Sequence, residues 1–515
     1  MPPSPAHTSP GPTAVHSSPL RRIGMALADA ITLDLHSLAL FRFLLGGILV
    51  ADSLARACHA RQTMSPDGML PPDLVRLFVG HPWSWSLALW CDKTWWNLLL
   101  LAIEGVTGLL LAVGVATPVT TIAAWVVVVS VVRRTAPVTN AGDILLACLL
   151  FWSLFLPLGR ACSWDSRRAV APPPRQAVRG IATAALVLQV AAVYVSAGLA
   201  KCNDTWWSGD AVSYALSVHD HGTPLGDAIA SHPSLARWLT WSTLVIELGG
   251  PPLLLIPSAR VPLVAAFVTF HAAILATMDV CLFPWVGMAA WLALLPGGVW
   301  RRSGTASPPP SPFGVATTRL PSLTELAAAA ALLVATTAFV HANSLWRDRP
   351  LGTIAKHAIQ ATFLEQDWSV FGDIRRQRQW IYARAELADG EVVDLLRGGR
   401  PLEPILPAGG YHSLHDQRLQ KLAWELPKPA QRAFAAPLAA TLVRQWDSKH
   451  PPDRRVVAFE LRGARLMDEP EPDTLQDVLL AAWPPRSPSG RGGLDRLLRD
   501  AESAQPSRSG VEDHR

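Results

Sequence analysis

A lysine closing a long apolar run is the first residue of this chain whose surroundings could give it chemistry. Tyr194, Ala197, Gly198 and Lys201 fall on one face of a helix at i, i+3/i+4 and i+7, and Trp206 and Gly209 follow shortly after. Ala197 and Gly198 are small enough to admit a neighbouring helix. A lysine at such a helix end can snorkel its ammonium out over an aromatic belt. Partly stripped of water instead, it can act as a base. The residues alone leave both readings open. Other ionisable groups lie inside apolar runs, where they are costly and are paired or functional. These are Arg42, Glu104 and Glu247. An Arg–Glu pair among them would satisfy both charges through a two-pronged hydrogen bond, as a clamp or as part of a substrate or proton path. His271 lies mid-run and is either hydrogen-bonded packing or a catalytic group. His219-Asp220-His221 offers two histidines two positions apart without a third ligand, which suits a metal poorly. No metal is expected.

The elements that must position these residues follow from composition. Half of the 515 residues are hydrophobic and 17% are charged, with 21 Trp against 4 Tyr. Soluble domains carry about a quarter charged residues, and Trp suits membrane interfaces. A bilayer core about 30 Å thick needs about 20 apolar helical residues. Nine runs meet or approach that length: 38–57, 97–115, 117–132, 143–158, 180–200, 238–256, 261–280, 283–299 and 323–342. Pro251-Pro252 interrupt the sixth, and such breaks free backbone groups and can border a cavity. The expected architecture is a mainly α, polytopic membrane helical bundle of about nine transmembrane helices, followed by a small α+β extracytoplasmic domain. Its divisions are a disordered tail (1–22), the transmembrane domain (23–343), a soluble α+β domain (344–485) and a second disordered tail (486–515).

Arg and Lys placement puts the N-terminus in the cytoplasm, and nine crossings then put everything after Asn343 outside, across a plasma membrane. The formal net charge of +5 is mild, and no basic block long enough for a nucleic-acid arm is present. The six cysteines form no C-x-x-C pair; Cys58 and Cys91 share the first outer loop and could bond there. In the last third, Gln379–Leu387, Asp389-Gly390 and Glu391–Leu396 predict a hairpin with a type I′ turn. Ser413–Leu426 and Pro429–Lys449 predict helices, and Val456–Leu461 a strand.

The stretch Tyr194-x-x-Ala197-Gly198-x-x-Lys201-x4-Trp206-x-x-Gly209 resembles vitamin K-dependent γ-carboxylases and their bacterial relatives, the HTTM (horizontally transferred transmembrane) proteins. Weaker matches lie in order along the chain. They are Arg42, Asp67-Gly68-x-Leu70, Asn140-x-Gly142-Asp143, Ser163-Trp164-Asp165, Tyr214 through His219, Phe270-His271, Phe283-Pro284-Trp285 and Gln366-x-Trp368-x-x-Phe371. The resemblance implies Lys201 as the base that deprotonates reduced vitamin K or another lipid quinol, with His271 and His219 as further catalytic candidates. Animal carboxylases carry a histidine directly after the asparagine matched by Asn140, and that histidine is implicated in carboxylation. Ala141 stands there, which points to quinol oxidation rather than glutamate carboxylation. Three functions therefore compete: a carboxylase-like or quinol-oxidising enzyme, a non-catalytic maturation factor that engages exported proteins, and a transporter. The expected partners are the lipid bilayer, an exported protein or a lipid quinone. Absence of an internal repeat weighs against transport.

Overall fold

The computed structural model describes residues 19–169, 176–217, 222–300, 322–343, 350–372, 374, 377–402, 414, 416–467 and 474–484. Each apolar run forms helix. They are α1 (Leu35–Thr63), α2 (Thr94–Val113), α3 (Thr117–Arg134), α4 (Ala141–Ser153), α5 (Ile181–Ala200), α6 (Pro233–Leu244), α7 (Arg260–Thr277), α8 (Phe283–Leu292) and α9 (Leu323–Ala342). Among the described residues six of these, α1, α2, α3, α5, α7 and α9, are long and apolar enough to cross a membrane. The chain is a mainly helical, multi-pass membrane protein. α4 and α8 are apolar but short, at 13 and 10 residues. α6 does not run through its apolar stretch. It passes into one π turn over Val245–Gly249 and then a 3-10 turn over Pro251–Leu255. Pro251 and Pro252 have no N–H to continue the α ladder, and their rings clash with the preceding turn.

Local sequence sets several helix ends. Asp34 caps α1, its carboxylate accepting from His36 N–H at 2.8 Å. Ser322 and Glu325 form a reciprocal capping box at the start of α9. At 29 residues, α1 is about 43 Å long and outruns the hydrocarbon core. It crosses α2 where two glycines meet. A side chain on Gly46 would lie 2.6 Å from Ala112 N and 2.8 Å from Ala112 Cβ. One on Gly108 would lie 2.8 Å from the Gly46 carbonyl and 2.9 Å from Leu49 Cβ. Backbones that close need small residues on both helices. The main core gathers around α1, α4, α5, α7 and α8, with Trp152, Trp291 and Trp368 fully buried.

The C-terminal lobe is a five-stranded antiparallel sheet, β1 (Gln377–Leu387), β2 (Val392–Asp394), β3 (Arg400–Pro401), β4 (Val456–Met467) and β5 (Thr474–Trp483), in the order β3-β2-β1-β4-β5. Two helices, α10 (Gln417–Glu425) and α11 (Ala435–Asp447), pack with it. The lobe does not close its core alone, because Met69, Leu70, Val75 and Val138 from the membrane domain's connections complete it.

Several expectations need correction. The β1–β2 turn is not type I′, which needs positive φ at both central residues. Only Gly390 is left-handed, at φ 86°, and it accompanies a Leu387–Gly390 turn closed at 2.9 Å. The predicted helices are shorter at their starts. α10 begins after Asp416, whose carboxylate caps Arg418 N–H, while α11 follows a 3-10 turn at Arg432–Phe434. Strand β4 extends to Met467, and β5 was not anticipated. Cys58 and Cys91 are both free thiols, so the first long connection carries no disulfide between them.

Candidate functional site

Lys201 is the C-cap of α5 and is 3% exposed. Its ammonium does not reach bulk water. Nζ lies 2.9 Å from Glu247 Oε2 and 3.2 Å from Oε1, and it donates to the Val370 carbonyl at 2.9 Å. It also sits 5.3 Å from the centre of the Trp206 ring, within cation–π range. Of the two carboxylate oxygens only Oε1 receives a well-directed hydrogen bond. Oε2 is the nearer of the two in ion contact.

The sequence positions this pair by two devices. Glu247 rides on the π turn, whose wider coil turns it toward α5. Gly198 lets that turn approach, since a side chain there would press on Leu248 Cδ2 at 2.8 Å and Glu247 Cβ at 3.3 Å. The expected Arg–Glu pair among Arg42, Glu104 and Glu247 does not form. All three are buried, but the partner of Glu247 is Lys201. Arg42 lies near the start of α1, where its Nη2 donates to the Cys162 carbonyl at 2.7 Å and its guanidinium packs against Gly114. The carboxylate of Glu104 accepts no hydrogen bond among the described residues.

Tyr194, Ala197, Lys201, Trp206 and Glu247 line one cavity of about 540 Å³ with otherwise mostly apolar walls from α5, α6 and α7. The motif face expected along α5 is therefore the cavity wall. His271 is fully buried behind Tyr194, Nε2 lying 2.5 Å from the phenol oxygen. His219 lies outside the described residues, and so does the whole of His219-Asp220-His221. Among the described residues no group of three or more His, Cys, Asp or Glu could hold a metal.

The segment after α9 closes the cavity. Three successive carbonyls accept from the motif: Val370 from Lys201, Phe371 from Trp206 Nε1 at 2.9 Å, and Gly372 from Asn203 Nδ2 at 2.7 Å. Phe371 holds a left-handed backbone, φ 55°, in the middle of this strap. Amides anchor the strap. Gln366 exchanges hydrogen bonds with Gln189 of α5, and Asn343 Oδ1 accepts from Ser196 and from Trp368 N–H. The stretch Gln366-x-Trp368-x-x-Phe371 thus serves the Lys201 cavity. Gly209 is left-handed at φ 87°, with the Arg237 side chain packed against its α-carbon.

The other motif residues lie elsewhere. Asn140 and Asp143 form a capping box at α4, and Asp143 Oδ1 accepts from Arg56 Nη2 at 2.6 Å. Arg56 also holds Asp52 at 2.6 Å, and Arg418 from the C-terminal lobe reaches Asp52 at 3.4 Å. Sequence reading missed this buried network. The signal was available, because Asp52 and Arg56 are spaced i, i+4 within a predicted span. Asp67-Gly68-x-Leu70 joins the lobe: Asp67 O accepts from Thr441 and Arg444, and Leu70 enters the lobe's core. Asp165 caps α3 through Ala116 N–H, Thr117 N–H and the Thr117 hydroxyl. Burial works against its charge, yet these donors and nearby Arg42 hold its carboxyl below the ordinary range.

A second, more polar cavity of about 1010 Å³ lies between the membrane helices and the lobe. Asp52, His59, Asn140, Asp416 and Arg418 are on its walls. Met278 and Val280 face both cavities.

The family model described as HTTM domain matches residues 31–296, just over half of the chain. No curated protein and no solved structure matches it.

Proposed function

The chain belongs to the HTTM domain family, and from that premise we propose that it binds a lipid-soluble quinol in the Lys201 cavity and removes a proton from it. The observation that carries this reading is the Lys201–Glu247 pair set in the wall of a mostly apolar cavity. An amphiphile with an aromatic head fits such a place: the walls take the apolar body, and the pair takes a hydroxyl. Reduced vitamin K, the group implied by the resemblance, would supply the electrons for oxidation by dioxygen. The chain's own residues handle the proton. In this scheme a ligand hydroxyl donates to the Glu247 carboxylate, which lines the cavity beside Lys201. The proton then passes to that carboxylate while the Lys201 ammonium offsets the negative charge left on the ligand oxygen. This replaces a lone lysine base by a lysine–carboxylate unit, in which the cation is held by Glu247, the Val370 carbonyl and the Trp206 face. Ala141, at the first turn of α4, supplies no acid or base, in keeping with oxidation without carboxylation.

The same reading takes all nine apolar segments as crossings or part-crossings of the plasma membrane, with a cytoplasmic N-terminus and the C-terminal lobe outside. A second reading, a maturation factor for exported proteins without catalysis, is favoured by the polar cavity between the lobe and the helices.

The test incubates purified protein with reduced vitamin K and oxygen and follows the epoxide by chromatography. Wild type should form it, and Lys201→Ala should lose about a hundredfold or more of the rate, the scale of acid–base contributions. Equal product from the two proteins would overturn the catalytic reading.

A further inference from the structure

The Lys201–Glu247 pair is not the only polar feature of the cavity wall. Tyr194 lies two helical turns earlier on the same face of α5, about 10 Å along the axis from Lys201, and it lines the same cavity. Its phenol is held by aromatic contacts with Phe267 and Trp291, at 4.7 and 5.5 Å between ring centres. His271 Nε2 lies 2.5 Å from the phenol oxygen. His271 is itself fixed. It is fully buried, and its ring fills the space beside Gly287, where a side chain would lie 2.8 Å from Nδ1. Nδ1 has no hydrogen-bond partner among the described residues.

A hydroxyl has one donor and two acceptor sites, and His271 uses one of them. Whichever tautomer the imidazole takes, the phenol keeps hydrogen-bonding capacity beyond this one contact. Ser242, Thr243 and Thr277, also on the wall, each donate to the carbonyl one turn back in their own helix, and Thr269 of α7 adds a further hydroxyl. The ion pair and the Tyr194 phenol backed by His271 are thus two polar stations in a mostly apolar wall.

Resting on the quinol reading above, we infer that the Tyr194–His271 pair is the contact for a second hydroxyl, so the cavity selects ligands with two hydroxyls over those with one. Tyr194 touches the ligand in this scheme, and His271 acts through Tyr194 as a positioning residue.

The experiment compares two probes on the full-length protein in lipid nanodiscs without oxygen: a 1,4-dihydroxynaphthalene bearing an isoprenoid chain, and its mono-O-methyl ether. A net hydrogen bond is worth about 1 kcal/mol, so wild type should hold the diol about fivefold more tightly. Tyr194→Phe should erase that preference and leave the affinity for the ether unchanged. His271→Gln, which can still meet the phenol, should retain part of the preference. A wild type that binds both probes equally would overturn the inference and leave the quinol reading standing. So would a Tyr194→Phe protein that loses affinity for both probes alike, since that pattern marks a structural role. Failure of wild type to bind either probe would remove the quinol reading and this inference together.

Discussion

Arg56→Met is expected to lower the stability of the whole molecule more than any other single change of a charged residue. The guanidinium is 1% exposed and holds two buried carboxylates, Asp52 and Asp143, each at 2.6 Å, as well as the Thr135 hydroxyl at 3.1 Å. Removing it strands both anions, with only the more distant Arg418 to offset them. Breaking a buried pair by deleting one partner costs about 3–5 kcal/mol, mostly from the charge left behind. The thermal midpoint of detergent-solubilised protein should therefore fall well below that of wild type. Adding Asp52→Asn and Asp143→Asn to the variant takes away the stranded charges and should return much of the loss. A midpoint unmoved by Arg56→Met, or a triple variant no better than the single one, would show that the network does not carry this energy. The location matters as much as the size. Arg418 comes from the C-terminal lobe, so the same network joins that lobe to α1 and α4.

A comparable effect is expected where no charge is involved. Gly46→Val puts a branched side chain against the backbone of Ala112, and neither main chain can move aside. Overpacking in a close-packed interior costs about 1–3 kcal/mol when side chains can shift, and here the obstacle is backbone, so the loss should exceed that range. Size-exclusion chromatography should show little monodisperse protein. Gly47 is the built-in control. It is the next residue on α1, yet a side chain there meets nothing within 4 Å. Gly47→Val should behave as wild type within about 0.5 kcal/mol. If the two variants expressed equally well, the α1–α2 crossing would not depend on glycine.

Much of the membrane body was legible in the residues. Leu323–Ala342 was bounded to the residue, and α5 was placed within one position, because hydrocarbon length and composition dictate such runs. The shared face of Tyr194, Ala197 and Lys201 followed from helical periodicity and is the face that lines the cavity. What escaped was pairing between helices. The burial of Glu247 was readable, but its partner depends on which helices cross and in what rotation, and a π turn sets that rotation. Pro251 and Pro252 mark a break there in the sequence, but not that Val245–Gly249 winds as a π turn. Asp143 was read as a motif residue, whereas its carboxylate completes a cap and meets Arg56 of α1. In the lobe, β5 was missed because Thr474–Trp483 does not alternate cleanly between apolar and polar. The hairpin was found, but Asp-Gly suggested the wrong turn, since Gly390 closes a longer loop.

The π turn bears on how relatives of this chain should be compared. Such a coil holds one residue more than an α-helix of the same span. Dropping a single codon there would restore regular winding and leave what lies beyond in place, while side chains within the turn would be re-aimed by up to about 100°. Glutamate and lysine could then both survive in an alignment while the carboxylate faced away from the amine. For homologues, a gap column beside Val245–Gly249 is thus as informative as the identity of the acidic residue itself.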